Sequence, residues 1–442
     1  MRRFARLLQY AGIVAAVVGL SKLHASAIAA NSYDYTTSAR FGWSMVYIVV
    51  LGVAAYGLGM PDLPRSPRQA LAGAVGAAAL AALGMSFVQL IAGDALLPRF
   101  VVFGSALALV PWYLICVIVA NEGRQMDLDR DRVILVGTSA DGDALRDELR
   151  RSPERPAIVT AIVNTEQARA TPDGERPLER MVERTNATLV VLDRDAQADE
   201  TVVHQAAVLH ERGIRMRTLS LFYEQWLGKL PLVELERVSL LFDIGEVHRA
   251  RYTRVKRLVD VAFAVIGLAL FVLAVPFVFA ANLAANRGPL LFRQTRVGKN
   301  REEFDICKFR TMSPDGDGAG EWTTEDDPRI TPFGRLLRRT HVDELPQALN
   351  ILRGELSMVG PRPEQPRYVD ELVEKIPFYD LRHVVRPGLT GWAQVKYHYG
   401  ADESDAMEKL QYEFYYLRHQ RLSLDLRVIG RTIRSVLTRE GR

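Results

Sequence analysis

Two adjacent carboxylates, Asp343 and Glu344, lie in a stretch rich in arginine. Arg335, Arg338 and Arg339 precede them, and Arg353 and Arg362 follow. Neighbouring residues on a helix do not face the same way, so the two acids are expected to have separate jobs. One carboxylate can attack a phosphorus, as in aspartyl-phosphate chemistry. The other can hold Mg2+, which needs only one or two carboxylates beside phosphate oxygens. Arginines would grip those oxygens in pairs and neutralise the charge of the transition state. A second reading of the same residues is structural. Thr340-x-x-Asp343 fits a capping box, in which Asp343 would only satisfy a helix start, and an acid among bases is often a solvated ion pair. His341, beside the pair, could be a general base and is read as structural.

The elements that must position these groups begin with a membrane region. The chain has 442 residues, 48% hydrophobic and 24% charged, with a formal net charge of +4. This length suits about three domains, and the composition excludes a disordered chain, a collagen and a disulfide scaffold. The charge is uneven, with only 8 basic and 3 acidic residues in the first 120. Four apolar stretches run there, roughly 7–30, 43–60, 70–92 and 100–120. Each is about the 20 residues a helix needs to cross a bilayer. A signal peptide is the rival reading of the first, but three more spans follow it. Arg2, Arg3 and Arg6, then Arg65 and Arg68, then Arg124, Arg130 and Arg132 put both ends of the bundle in the cytoplasm. The two cysteines, Cys116 and Cys307, have no metal-binding spacing. The basic balance is read as charge facing an anionic inner leaflet, with no nucleic acid as partner.

A fifth apolar stretch, 261–281, is flanked on both sides by bases without acids: Arg249, Arg251, Arg254, Lys256 and Arg257 before it, Arg287, Arg293, Arg296, Lys299 and Arg301 after it. Both ends therefore ask to be cytoplasmic. Pro276 inside the stretch favours a kink, and a re-entrant helix–break–helix over about 258–283 is predicted; the alternative is a kinked fifth span. Asp260, costly if lipid-exposed, is expected to pair with a base such as Arg257. Residues 133–248 alternate β-rich runs (132–136, 158–163, 189–192, 214–219) with helical ones, the pattern of a mostly parallel α/β sheet. Ser139 stands where a dinucleotide fingerprint wants its second glycine, so no cofactor is expected there. Tyr252-x-x-x-Lys256 has the spacing of a short-chain dehydrogenase pair but falls outside the α/β unit, and Lys256 is read as an interfacial anchor.

Five ordered motifs then carry a resemblance over nearly 190 residues. They are Phe292-Arg-Gln-Thr-Arg-Val-Gly298, Lys308-Phe-Arg-Thr-Met312, Val342-Asp-Glu-Leu-Pro346, Gly354-Glu-Leu-Ser-Met-Val-Gly-Pro-Arg-Pro363 and Arg386-Pro-Gly-Leu-Thr-Gly-Trp-Ala-Gln394. With Lys256-Arg-Leu-Val-Asp260 and Pro276 before them, residues 256–442 resemble bacterial polyprenyl-phosphate sugar-1-phosphate transferases, the monotopic phosphoglycosyl transferases, in their long form. The resemblance implies a membrane protein of α plus α/β class: a four-span bundle (1–125), a Rossmann-like α/β domain (126–248) and a mostly helical catalytic domain (249–442). It implies transfer of a sugar-1-phosphate from a UDP-sugar to polyprenyl phosphate at the cytoplasmic face of a bacterial inner membrane, with Mg2+ as cofactor. Asp343 would be the nucleophile and Glu344 the Mg2+ ligand. Arg362 and Arg338 would contact phosphate, with Lys308 and Arg310 as further contacts. Val275 replaces the serine that many members place before the proline of the break. Trp392 is assigned to interfacial packing, with uracil stacking as the alternative, and Tyr412, Phe414, Tyr415 and Tyr416 to core and interface. A homodimer through the bundle or the middle domain is a further expectation. The competing readings are a membrane-bound nucleotide-sugar dehydratase, which would need the missing glycine fingerprint, and a non-enzymatic assembly scaffold. No motif names the sugar.

Overall fold

The structure is a computed structural model that describes all residues except 1, 30–32, 63–65, 93–95, 152–156, 172–174, 233–248, 286–287, 313–328, 398–402 and 439–442. Arg65, Arg287, the Asp327-Pro328 start of a motif-like segment and the domain boundary expected at 248 lie outside the described residues. The chain divides into two compact units, Met1–Leu240 and Leu241–Arg442.

The first unit opens with four long helices: α1 (Arg2–Leu23, continued by a π-helical turn His24–Ile28), α2 (Ala39–Gly57), α3 (Pro67–Ala92) and α4 (Arg99–Arg130). Each contains a stretch long and apolar enough to cross a membrane. They pack through small and polar contacts: α3 buries Ala74, Ala77 and Ala81, and the Tyr47 hydroxyl donates to the Val102 carbonyl at 2.8 Å. Their outer faces leave large apolar side chains bare, as at Leu83 and Leu107. Such a surface suits lipid rather than water.

The α/β part follows. Strands β1 (Arg132–Val136), β2 (Ile158–Val163), β3 (Leu189–Leu192) and β4 (Arg215–Thr218) form one parallel sheet in the order β2-β1-β3-β4. Parallel neighbours need crossovers; helices α5 (Ser139–Arg151), α6 (Pro177–Thr185) and α7 (Glu200–Glu211) lie between successive strands in the chain. The period-2 alternation of β1 and β3 feeds two cores. Ile134, Val136, Val190 and Leu192 join Leu178, Val182 and Val202 in one, and Val133, Leu135, Leu189 and Val191 join Leu145, Phe222 and Trp226 in the other. A strand covered on both faces reads as the near-continuous apolar run seen in the sequence.

The second unit starts with α8 (Arg249–Ala285), which is 37 residues long and helical without interruption through Pro276. Straight, it would measure about 55 Å. Its apolar side chains are largely bare, with Phe277 77% and Leu258 71% exposed. The other face carries contacts to the rest of the unit along both halves. Tyr252 and Lys256 reach Asp425, and Ala264 packs on Ile351 and Leu356. Further along, Phe271, Val275 and Val278 pack on Phe309 and Leu337. In the last turn of α8, the Asn282 side chain donates to the Gly288 carbonyl at 3.0 Å.

Three expectations at this helix need correction. In place of the helix–break–helix expected at Pro276 there is one continuous helix, so a return to the same side takes a bend there and not a break. Asp260 is buried, but its partners are the Ser357 hydroxyl (2.9 and 3.0 Å) and the Met358 N–H (2.9 Å). Arg257 instead donates to the Ile351 and Leu352 carbonyls, the open end of a short helix. The basic residue goes where carbonyls lack partners, and a serine and an amide suffice for the acid. Lys256 is no interfacial anchor either: it pairs with buried Asp425 at 3.1 Å, which also accepts from Tyr252 (2.7 Å) and Tyr416 (2.9 Å).

The rest of the unit comprises the antiparallel hairpin β5 (Leu291–Val297) and β6 (Glu303–Phe309), then α9 (Pro332–Arg339), a 3-10 turn (Val342–Gln347) and α10 (Ala348–Arg353). The strand β7 (Ser357–Val359) pairs in parallel with β8 (Gly388–Thr390), and α11 (Pro366–Lys375), α12 (Glu403–Arg418) and α13 (Leu422–Thr438) complete it. Tyr412, Phe414 and Tyr416 are core residues of α12.

Candidate functional site

Asp343 and Glu344 stand in the first turn of the 3-10 turn that joins α9 to α10. The chain enters it through His341, a non-glycine residue at φ 54°. His341 accepts from the Glu344 N–H (3.2 Å) and donates its own N–H to the Arg338 carbonyl (3.1 Å). The capping-box alternative falls away: the Thr340 hydroxyl donates back to the Leu336 and Leu337 carbonyls, and His341, not Thr340, precedes the turn. His341 is exposed, and its charge, when present, bears on both carboxylates.

The two acids have different surroundings. Glu344 accepts from Lys308 of β6 at 2.8 Å and from Arg362 at 3.4 Å, both at the same oxygen. Burial alone would raise its pKa; Lys308 and Arg362 override this and hold it at about 2. Asp343 is buried, and its Oδ1 has no hydrogen-bond partner among the described residues. Burial, and then the negative Glu344 beside it, push its pKa up, against the opposing pull of Lys308, His341 and Arg338. An under-solvated carboxylate with an unpartnered oxygen, fixed beside a charged neighbour, suits a nucleophile.

Arg338 sits in the last turn of α9 and donates from Nε to the Thr311 hydroxyl at 2.9 Å. Arg362 follows β7, in the turn Gly360-Pro-Arg-Pro-Glu364. The backbones of β7 and β8 meet so closely there that a Cβ on Gly388 would lie 2.1 Å from the Gly360 nitrogen. Only glycine allows that approach, which brings the turn alongside Gly391 and Trp392 in one small cleft with Arg362.

Lys308, Arg362, Asp343 and Glu344 are therefore brought together, with Arg338 one turn before the dyad. Arg310 is directed elsewhere: it is buried, its Nε donates to the Pro289 carbonyl at 2.8 Å, and its guanidinium lies against Gly288. It fastens the exit of α8. Trp392 is neither interfacial nor open to a base. It is 2% exposed, stacked on Tyr415, with Arg431 and Lys396 over its ring. Among the described residues no three His, Cys, Asp or Glu side chains gather into a metal-binding group. The carboxylate of Glu344, held charged in the dyad turn, fits Mg2+, which takes its remaining ligands from water and phosphate.

Sequence reasoning missed the residues behind the site. Arg382 with Glu413, and Tyr416 with Asp425, hold its backbone from outside the motifs, and Arg296 does so from within Phe292–Gly298. Their one signal is charge inside otherwise apolar segments, as at Glu413 among Tyr412, Phe414 and Tyr416.

Comparison with known proteins covers this same unit. Residues 251–439 match the family described as bacterial sugar transferase. A UDP-N-acetylgalactosamine-undecaprenyl-phosphate N-acetylgalactosaminephosphotransferase of Aeromonas hydrophila is 42% identical over 194 residues, 43% of this chain and 45% of that protein. A UDP-glucose:undecaprenyl-phosphate glucose-1-phosphate transferase of Caulobacter vibrioides is 39% identical over 204 residues, 45% of this chain and 75% of its own. An exopolysaccharide production protein of Rhizobium leguminosarum is 43% identical over 180 residues, 39% of this chain and 90% of its own. The match thus spans about half the length of the Aeromonas relative and most of the two shorter ones.

Proposed function

Because the chain belongs to the bacterial sugar transferase family, we propose that it transfers a sugar-1-phosphate from a UDP-sugar to undecaprenyl or another polyprenyl phosphate. The observation that carries this reading is the pair of unlike carboxylates: Glu344 held charged by Lys308 and Arg362, Asp343 buried with an unpartnered oxygen.

The Asp343 carboxylate attacks the phosphorus that bears the sugar. An Asp–O–P bond forms, the bridging P–O bond of the diphosphate breaks, and its electron pair leaves with UMP. A phosphate oxygen of the lipid carrier then attacks the same phosphorus, and the Asp343 carboxylate is released. The product is a polyprenyl diphosphate sugar. Arg362 and Lys308 face the oxygens on which charge develops, and Arg338 supports the entry of the chain into the dyad turn. Glu344 would hold Mg2+, which would screen the charge of the diphosphate. Two steps on one nucleophile let a water-soluble donor and a lipid acceptor use one site in turn.

The membrane supplies the meeting place. Elements of the catalytic unit pack on α8 both before residue 265 and after residue 270, and bases flank its apolar stretch on both sides. A helix bearing its own domain along both halves fits one that enters and leaves on the cytoplasmic side better than one that crosses. Its bare face would lie in the inner leaflet, with anionic lipids favoured at about 1 kcal/mol per nearby base. Two of the relatives act on different UDP-sugars by name, so the sugar is a matter for experiment.

The test is UMP release by the nanodisc-reconstituted chain with Mg2+, undecaprenyl phosphate and a panel of UDP-sugars. Release that needs lipid, metal and Asp343 supports the reading and identifies the sugar. No release from folded protein across the panel overturns it.

A further inference from the structure

The turn that presents Arg362 is held at each carbonyl from Pro361 to Glu364. Pro361 accepts from the Gly388 N–H at 2.8 Å, and Glu364 from the Val297 N–H at 2.9 Å. The two carbonyls between them are held by side chains. Arg362 accepts from Arg382 at 2.9 Å, and Pro363 accepts from Arg296 at 3.1 Å. Two prolines leave the segment few N–H groups of its own, so it cannot be fixed as an ordinary strand. Its carbonyls are what can be gripped.

Arg382 is built for this. It is 4% exposed and makes a two-pronged pair with Glu413 of α12, 2.8 Å on each prong. Its other terminal nitrogen donates to the Tyr379 hydroxyl at 3.0 Å. Burial works against its charge, and Glu413 more than offsets this, so the guanidinium stays protonated. A buried ion pair is weak evidence for stability, since apolar residues of the same volume often serve as well. What apolar residues cannot do is donate to the carbonyl of Arg362. Arg296, on β5, is steadied by Gln294 (2.7 Å) and by Glu364 (3.6 Å).

We propose that Arg382 and Arg296 are positioning residues, with Glu413 orienting the first, and that they aim the Arg362 side chain at the dyad by fixing the carbonyls of Arg362 and Pro363. The proposal rests on the reading that Arg362 grips donor phosphate. Arg362 itself is long and about 40% exposed, so its aim depends on how firmly its backbone is held.

The test uses the full chain in nanodiscs, with the UDP-sugar that the panel selects and undecaprenyl phosphate. Arg382→Lys keeps a charge but cannot fork across Glu413 and the carbonyl together. It is made in the natural sequence and in Arg362→Lys. If Arg382 acts through Arg362, Arg382→Lys lowers kcat/KM about tenfold or more alone and less than about twofold in the Arg362→Lys background. Hydrogen exchange quickens over residues 357–365 and not elsewhere in the catalytic unit. Arg296→Lys gives the same pattern with a smaller factor. Equal losses in both backgrounds, with exchange over 357–365 unchanged, overturn the proposal and leave a purely structural ion pair. If Arg382→Lys does not fold, Arg296→Lys decides on the same criteria. If the natural chain turns over no UDP-sugar, the functional reading fails separately. Exchange alone then judges the positioning: quickening confined to 357–365 supports it, and uniform or unchanged exchange overturns it.

Discussion

The α/β domain and the catalytic unit bury opposite kinds of interior. In the first, β1 and β3 fill two cores with Val, Ile and Leu, and the buried charges Asp131, Glu179, Asp193 and Lys229 cap a helix or pair with a neighbouring side chain, as where Asp131 meets Arg215 and the Trp226 N–H. In the second, Asp260, Asp343, Asn350, Arg382, Glu413 and Asp425 all lie inside. Most of these hold backbone or one another: Asn350 bonds the Asp305 carbonyl and the Cys307 N–H, Asp260 the Met358 N–H, and Arg382 the Arg362 carbonyl. Apolar burial is strong but non-directional. A fold that must hold several loops around two carboxylates needs directional bonds, and it carries the desolvation cost of making them. Asp343 is the exception that gives the comparison its meaning, as a buried oxygen with nothing to hold.

The comparison can be broken where it is sharpest. Asp343→Asn should lower UMP release by about 10^3-fold or more while the unfolding midpoint holds or rises, because the variant removes a buried charge whose Oδ1 lacks a partner. A parallel fall in stability would make Asp343 another structural bond. Glu344→Gln should cost roughly 10^2-fold in kcat/KM, and chelation of divalent cations should silence the natural chain until Mg2+ is restored. Asp425→Ala leaves Lys256, Tyr252 and Tyr416 without their shared acceptor. Denaturant titration of the catalytic unit should show a loss of about 3–5 kcal/mol.

The pH profile separates the two acids. Glu344 is depressed from 4.5 to about 2, so the stability it contributes is complete above pH 4.5 and is lost only as pH falls toward 2. Asp343 is raised above 3.8, so the acid limb of kcat/KM should lie above that value and report its protonation. Removing the opposing cation with Lys308→Met should move the limb to higher pH; a limb that stays or moves down would detach it from Asp343. The smallest effect on activity is expected from Leu135→Ala. It should cost the α/β domain about 2–5 kcal/mol by denaturation, yet leave UMP release per folded molecule within about twofold of the natural chain.

What could be read in advance divides along the same line. The four strands, their crossovers and the long helices were legible, because periodicity and apolar length report burial that is local in sequence. The dyad, Lys308 and Arg362 were legible as motif residues. Arg310 shares a motif with Lys308, but its Nε bonds the Pro289 carbonyl, a contact the motif alone does not announce. The partners of Asp260, Lys256 and Arg362 lie 97, 169 and 20 positions away, and no local pattern marks such pairs.

The close meeting of Gly360 and Gly388 has a practical consequence for anyone wishing to redirect the enzyme toward another sugar. A saturation library should show two blank positions there, whatever donor is used for selection, because a single methyl group collides with main chain on the opposite strand. The paired glycines mark where diversity is wasted.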